Sequence, residues 1–169
     1  MIVAISDFTA GGKFELHTGA YDTARLQDYI DRYEKRYLTD LFGVDLYNEF
    51  NADLILGGGV PTEQRFITIF EPLSVDYIWS ILYSEGIKEM LIGFIYYEYI
   101  KDQISQMTPI GMVTPSGQNS RNSSSLYLQL YTRYNDAVRM YKALQVYMTN
   151  NSSDYDEFNG MRKMLITWL

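Results

Sequence analysis

The stretch from Ile87 to Ile100 most restricts what this chain can become. Apolar residues fill it except at Lys88, Glu89, Gly93 and Glu98. A helix written that way has almost no polar face, so it must be enclosed. Either it is the central helix of a small bundle, or its own fold covers one side and a neighbouring molecule the other. The uninterrupted run from Met90 to Tyr97 is far below the ~20 residues that a membrane span needs. We read this helix as starting near Glu85-Gly86 and ending near Gln106.

The surrounding pattern supplies partners for it. After Asp22, a plausible N-cap, Leu26, Tyr29, Ile30, Tyr33, Tyr37 and Leu41 recur at three- and four-residue spacing, and Gly43 stops the run. The opposite face carries Asp28–Arg32 and Asp31–Lys35, each worth about 0.3 kcal/mol on an exposed helix. Asp45 can cap a shorter helix with Leu46, Tyr47, Phe50 and Leu54, closed by Gly57-Gly58-Gly59. A long helix is expected from about 124 to 148, with Leu130, Tyr134, Val138, Tyr141 and Leu144 on one side; it would span about 37 Å.

Elsewhere the pattern predicts other structure. Residues 1–21 read as an extended arm. Arg65 to Phe70, β-branched and aromatic between Pro61 and Pro72, reads as extended. Val75 to Tyr83 fits a helix through Val75, Ile78 and Leu82 or a strand through alternate residues, and Ser74 as a cap favours the helix. Residues 105–125, with Arg121 as their one charge, read as a long loop. After a polar linker, Phe158, Met161, Leu165 and Trp168 make a helical stripe, with Ser153 and Asp156 placed for a capping box. The expected fold class is mainly α. It is a small antiparallel helical bundle (22–149) with an extended N-terminal arm (1–21), one β-like segment, and a linker and C-terminal helix (150–169).

Composition excludes several chemistries. With no cysteine among 169 residues, disulfides, thiol nucleophiles and Cys-ligated metals are ruled out. His17 is the only histidine, it stands near no nucleophile motif, and no metal-ligand spacing involves it. The Gly57–Gly59 run lacks the Gly-Lys-Ser/Thr of a phosphate loop. We therefore expect no catalytic residue, cofactor or metal. Fourteen Lys+Arg against 21 Asp+Glu leave a net charge of −7, which disfavours a protein whose main task is gripping nucleic-acid phosphates. The N-terminus has no basic start and too short an apolar run for a signal peptide, so synthesis in the cytoplasm and no membrane association are expected.

Two features remain. Glu98 lies between Tyr97 and Tyr99 on the apolar helix, where a hydrogen bond to a tyrosine hydroxyl, or an arginine of another subunit, is favoured over acid–base work. Sixteen tyrosines look like more than one core of this size can hide. Tyrosine is enriched at protein interfaces because it buries large area while its hydroxyl stays satisfied.

The residues Glu85-Gly86-Ile87-Lys88, Leu91, Phe94, Tyr96-Tyr97-x-Tyr99-Ile100 and Thr108-Pro109-x-Gly111-x-Val113, followed by the long helix with Tyr141, carry a resemblance. Over about residues 22–149 the chain resembles the helical head–tail connector (adaptor) proteins of tailed bacteriophages. Its tyrosine-rich helices and Asn/Ser linkers are similar to neck ring proteins of crAss-like phages. The resemblance implies a structural virion protein, a homo-oligomeric dodecameric ring under the portal protein. Its channel would pass double-stranded DNA without sequence-specific binding, and it carries over no catalytic residue. By position it points to Thr108, Pro109, Gly111 and Val113 as an interface loop and to the chain ends as docking arms. Tyr97, Tyr99, Phe158 and Trp168 complete the expected interface set. An acidic channel wall would suit sliding DNA. The rival readings are a cytoplasmic helical module that binds a peptide or small ligand in a groove of the central helix, and an enzyme acting through Glu98.

Overall fold

The computed structural model describes residues 1–9, 13–16, 21–104, 106–108, 111–113 and 124–166. A 3-10 turn (Ile5–Phe8) leads to α1 (Thr23–Phe42), α2 (Val44–Leu56) and α3 (Gln64–Phe70). Then come β1 (Leu73–Tyr77), β2 (Ser80–Ser84), α4 (Ile87–Ile104), β3 (Gln106–Thr108), β4 (Gly111–Val113) and α5 (Ser124–Asn150). The fold is mainly α, with two separate two-stranded antiparallel sheets among the described residues.

α4 sits in the middle, as its composition demands. Ile87, Met90, Leu91, Phe94, Ile95 and Tyr99 expose nothing to solvent. Tyr29 near the start of α1 meets Tyr99 near the end of α4, and Tyr37 stacks on Phe94 with centroids 4.2 Å apart. On the other side Phe94 packs against Tyr134 and Tyr141, while Tyr97 packs against Tyr131 and Tyr134. Both pairings run antiparallel. The apolar residues of α4 from Ile87 to Tyr96 are thus enclosed within one chain, while Tyr97 and Ile100 stay half-buried.

α1 begins and ends where the sequence indicates. The Asp22 carboxylate accepts hydrogen bonds from the Ala24 and Arg25 amides at 2.9 and 3.1 Å, satisfying two donors that a helix start leaves free. Gly43, at φ +83°, turns the chain into α2, and a side chain there would strike the backbone of Asn159 at 3.0 Å.

Five expectations need correction. Residues 65–70 belong to α3, not to an extended strap. Phe66 and Ile69, one helical turn apart, are both fully buried, with Phe66 edge-on to Phe50, and both prolines lie outside the helix. Burial of that face outweighs β-propensity. Residues 75–83 are not a helix but the β1–β2 hairpin, in register Val75↔Leu82 and Tyr77↔Ser80. The period of two was the correct reading, and Ser74 is a strand residue opposite Tyr83.

The segment 155–166 forms no helix. It is a strap whose Asn159 and Met161 amides bond the Phe42 and Asp40 carbonyls at 3.0 and 2.6 Å, taking up acceptors that the end of α1 leaves free. The Tyr155 ring is buried and its hydroxyl donates to the Arg65 carbonyl at 2.6 Å. The described part of residues 1–21 is not a free arm either. Ile2, Val3, Phe8, Phe14 and Leu16 are buried, and the Glu34 carboxylate accepts the Ile2 and Val3 amides at 3.0 Å. Finally, the start of the expected loop 105–125 holds the short β3–β4 hairpin, Thr108 opposite Gly111.

Candidate protein interface

The residues expected at an interface scatter when placed in the fold. Tyr99 is fully buried, and its hydroxyl accepts the Asp22 amide at 3.1 Å, so it is a core residue and offers nothing to a partner. Tyr97 is half-buried in the ring cluster with Tyr131 and Tyr134, with the Lys101 ammonium 5.4 Å from its centroid. Burial, ahead of any neighbouring charge, pushes its phenol pKa up. Phe158 is half-buried in the strap at the edge of the core. Thr108, Gly111 and Val113 are strand positions of the β3–β4 hairpin, whereas Pro109 and Trp168, like His17, lie outside the described residues.

Glu98 takes the role its position favoured. Tyr37 donates to one carboxylate oxygen at 2.8 Å and Lys101 pairs with the other. Burial first, then the Glu98 charge, holds the Tyr37 phenol far above its ordinary value.

Part of the tyrosine surplus is taken up inside the molecule, while others, such as Tyr33, Tyr97 and Tyr134, stay half-buried and Tyr83 is exposed. Tyr29, Tyr37, Tyr96, Tyr99, Tyr141 and Tyr155 are buried. The hydroxyls of Tyr29, Tyr37, Tyr141 and Tyr155 find internal acceptors: Tyr29 on Asp102 at 2.5 Å, Tyr141 on the Asp40 carbonyl at 2.6 Å. A phenol that donates internally can be buried at little cost, so a count of rings does not by itself locate an interface.

The exposed apolar surface lies elsewhere, on the β1–β2 hairpin. Trp79 is 97% exposed, Ile78 76%, Ile81 70% and Tyr83 57%. The inner face, with Val75 and Leu82, lies toward α5, and the Lys142 ammonium sits 4.3 Å from the Tyr77 ring centre. Asp76 and Ile81 pair on the other face, as do Ser74 and Tyr83. Ile78 and Trp79 alone join the strands, and Ile78 has φ +54°. Glycine or asparagine ordinarily fills such a turn position; a β-branched residue there costs about 1–2 kcal/mol. The alternation of residues 75–83 was the sequence signal for this hairpin. Its turn gave none, because no Gly, Asn or Asp marks it.

A second apolar patch closes α2. Ile55, Leu56 and Val60 are 72%, 84% and 59% exposed. Exposed Met1 is close by, its carbonyl 3.7 Å from where a side chain at Gly59 would begin.

Between the β1–β2 hairpin, α5 and the strap runs a groove of about 790 Å³. Leu82, Val138, Val146, Phe158 and Leu165 supply its apolar lining; Arg139, Lys142, Arg162 and Lys163 supply four cations, and no carboxylate lines it. Arg139 pairs with Asp136 and Lys163 with Asp40. Among the described residues Lys142 and Arg162 have no ion pair.

Comparison with protein-family models, with curated proteins and with solved structures gave no match. Among the described residues no helix is long and apolar enough to cross a membrane.

Proposed function

We propose that this chain is a structural subunit that works by assembling with copies of itself, as a head–tail connector ring of a tailed-phage virion. In that reading it joins the portal protein to neck or tail proteins, and double-stranded DNA passes through the ring without being read. The sequence resemblance over residues 22–149 supports the phage assignment. The observation that carries the assembly is Trp79, almost wholly in water on a strained turn, flanked by Ile78 and Ile81. Large exposed apolar groups gathered in one place mark interaction sites far more often than scattered ones do. A ring needs two different surfaces on each subunit, one for each neighbour. Exposed apolar groups fall on several elements: the β1–β2 tip, the end of α2, and the strap with Met161, Met164 and Leu165.

Native mass spectrometry of the chain, alone and with a candidate portal protein, tests this. Rings are expected for the wild type. Trp79→Ser should keep the thermal transition and lose the rings. A wild-type chain that stays monomeric at every concentration and ignores the portal would sink the proposal. A second reading, a module that binds a peptide or small ligand, is favoured by the groove of about 790 Å³. That groove lies on α5 and not on α4, which the fold encloses. A stable monomer that takes up a ligand there would select it.

A further inference from the structure

We infer that the β1–β2 tip of one copy seats in the groove between the β1–β2 hairpin, α5 and the strap of the next copy. The inference rests on the ring reading above and names its lateral contact. Four of the chain's 14 Lys+Arg line the groove without a carboxylate, in a chain whose net charge is −7. Asp136 and Asp40 pair two of these cations from outside the lining, which leaves Lys142 and Arg162 to favour an occupant with negative charge. The apolar lining requires that the same occupant bring apolar bulk. A nucleic-acid backbone would meet the cations and leave the apolar lining wet, so a peptide segment fits better.

The chain carries such a segment. Ile78, Trp79 and Ile81 are apolar and exposed, and Asp76, paired across the strands with Ile81, has no ion pair among the described residues. The groove's Lys142 and Arg162 lack one too. Cations without a carboxylate and a carboxylate without a cation thus occur on two surfaces of one molecule, each beside apolar groups. The volume suits a compact ligand, since small-ligand sites run about 300–1,000 Å³; Trp79 can enter with its neighbours. A chain's own tip cannot fill its own groove. Tyr77 and Leu82 of the same hairpin already form one wall, and Tyr77 pairs with Ser80 directly before the turn. The tip must therefore go to another copy. Passed on from neighbour to neighbour, tip to groove, the contact is heterologous and generates a ring where the rotation closes. A reciprocal exchange would stop at a dimer in native mass spectra and overturn the inference.

The absence of cysteine makes this directly testable. Ser80→Cys and Asn150→Cys chains, each carrying one thiol and distinguishable by mass, are mixed and gently oxidised. Ser80 flanks the turn and Asn150 lines the groove. The mixed disulfide dimer should dominate both homodimers. In parallel, Arg162→Glu and Asp76→Arg should each weaken the ring about tenfold, the size expected of one charged contact. The double variant should restore it, with thermal transitions unchanged throughout. Ser80–Ser80 homodimers as the main product would mean a self-complementary contact and overturn the inference. Rings that persist in native mass spectra with no mixed dimer and no charge rescue would overturn it too, while leaving the ring reading intact. A wild-type monomer would remove both.

Discussion

The α1–α4–α5 seam and the β1–β2 hairpin are both rich in large apolar side chains, and they treat them in opposite ways. In the seam, Phe94 is enclosed by Tyr37, Tyr134 and Tyr141, and neighbouring hydroxyls end on Glu98, Asp102 and the Asp40 carbonyl. Nothing there is left to share. In the hairpin, Trp79 meets solvent and Ile78 holds a backbone conformation that suits glycine. Aromatic abundance therefore says little about where a partner binds. The informative groups are those that the chain fails to cover.

The largest effect should come from the seam. Phe94→Ala is expected to cost about 3–5 kcal/mol, because the ring leaves a cavity that three fixed tyrosines cannot fill. Urea unfolding measures it. A loss below about 1 kcal/mol would mean that the seam relaxes freely and is not the rigid centre of the fold.

Alkaline pH should strike the same region. Burial first, and for Tyr37 also the nearby Glu98 charge, raises the phenol pKa of Tyr29, Tyr37, Tyr141 and Tyr155. In the unfolded chain these groups lose their protons near pH 10. Above that pH the unfolded state binds fewer protons than the folded one, so stability falls as pH rises. The contribution is fully present below about pH 10 and is lost as pH climbs toward the folded values. Tyrosinate absorbance followed alongside circular dichroism should show these phenols ionising together with loss of helix. Their ionisation near pH 10 with helices intact would contradict the buried seam.

A smaller effect belongs to the turn before α3. Burial would raise the Asp53 carboxyl, but the Thr62 hydroxyl and amide and the Glu63 amide outweigh it and hold the pKa below the ordinary value. Asp53→Ala should cost about 1–3 kcal/mol at neutral pH. A lowered folded pKa gives stability that is present above the unfolded value of about 3.9 and lost as pH falls through the folded one. Wild type and variant should therefore converge in acid. A gap that stays constant down to pH 2 would mean that the carboxylate charge is not the source.

How much of this was legible beforehand depends on where each segment's partners lie. α1, α2 and α5 carry their own periodic stripes and α4 its nearly continuous apolar surface, and Asp22, Gly43 and Gly57 mark the ends of α1 and α2 in sequence as in space. The alternation of 75–83 was visible beside a competing helical spacing, whereas residues 65–70 and 155–166 take their form from distant groups: Phe50 under Phe66, and the end of α1 against Asn159. No window of neighbouring residues contains that information. The same holds for the groove, which gathers Leu82, Lys142 and Arg162 from three separate segments. Glu98 is the contrary case. A carboxylate set among tyrosines on an apolar helix has few ways to be satisfied, and one of them was found.

The sharpest test of the contrast uses a single residue with two opposed roles. At φ +54° Ile78 pays about 1–2 kcal/mol that glycine avoids. Glycine in turn gives the unfolded chain more freedom, which takes back about 0.4–1 kcal/mol. Ile78→Gly should therefore stabilise the monomer by about 0.5–1 kcal/mol, a small rise in melting temperature. The same change removes an exposed apolar side chain beside Trp79, so it should weaken assembly. Higher stability together with weaker association would mean that the hairpin holds its strain for a contact outside the monomer. A variant that is both less stable and equally well assembled would show that Ile78 instead serves the fold of its own chain.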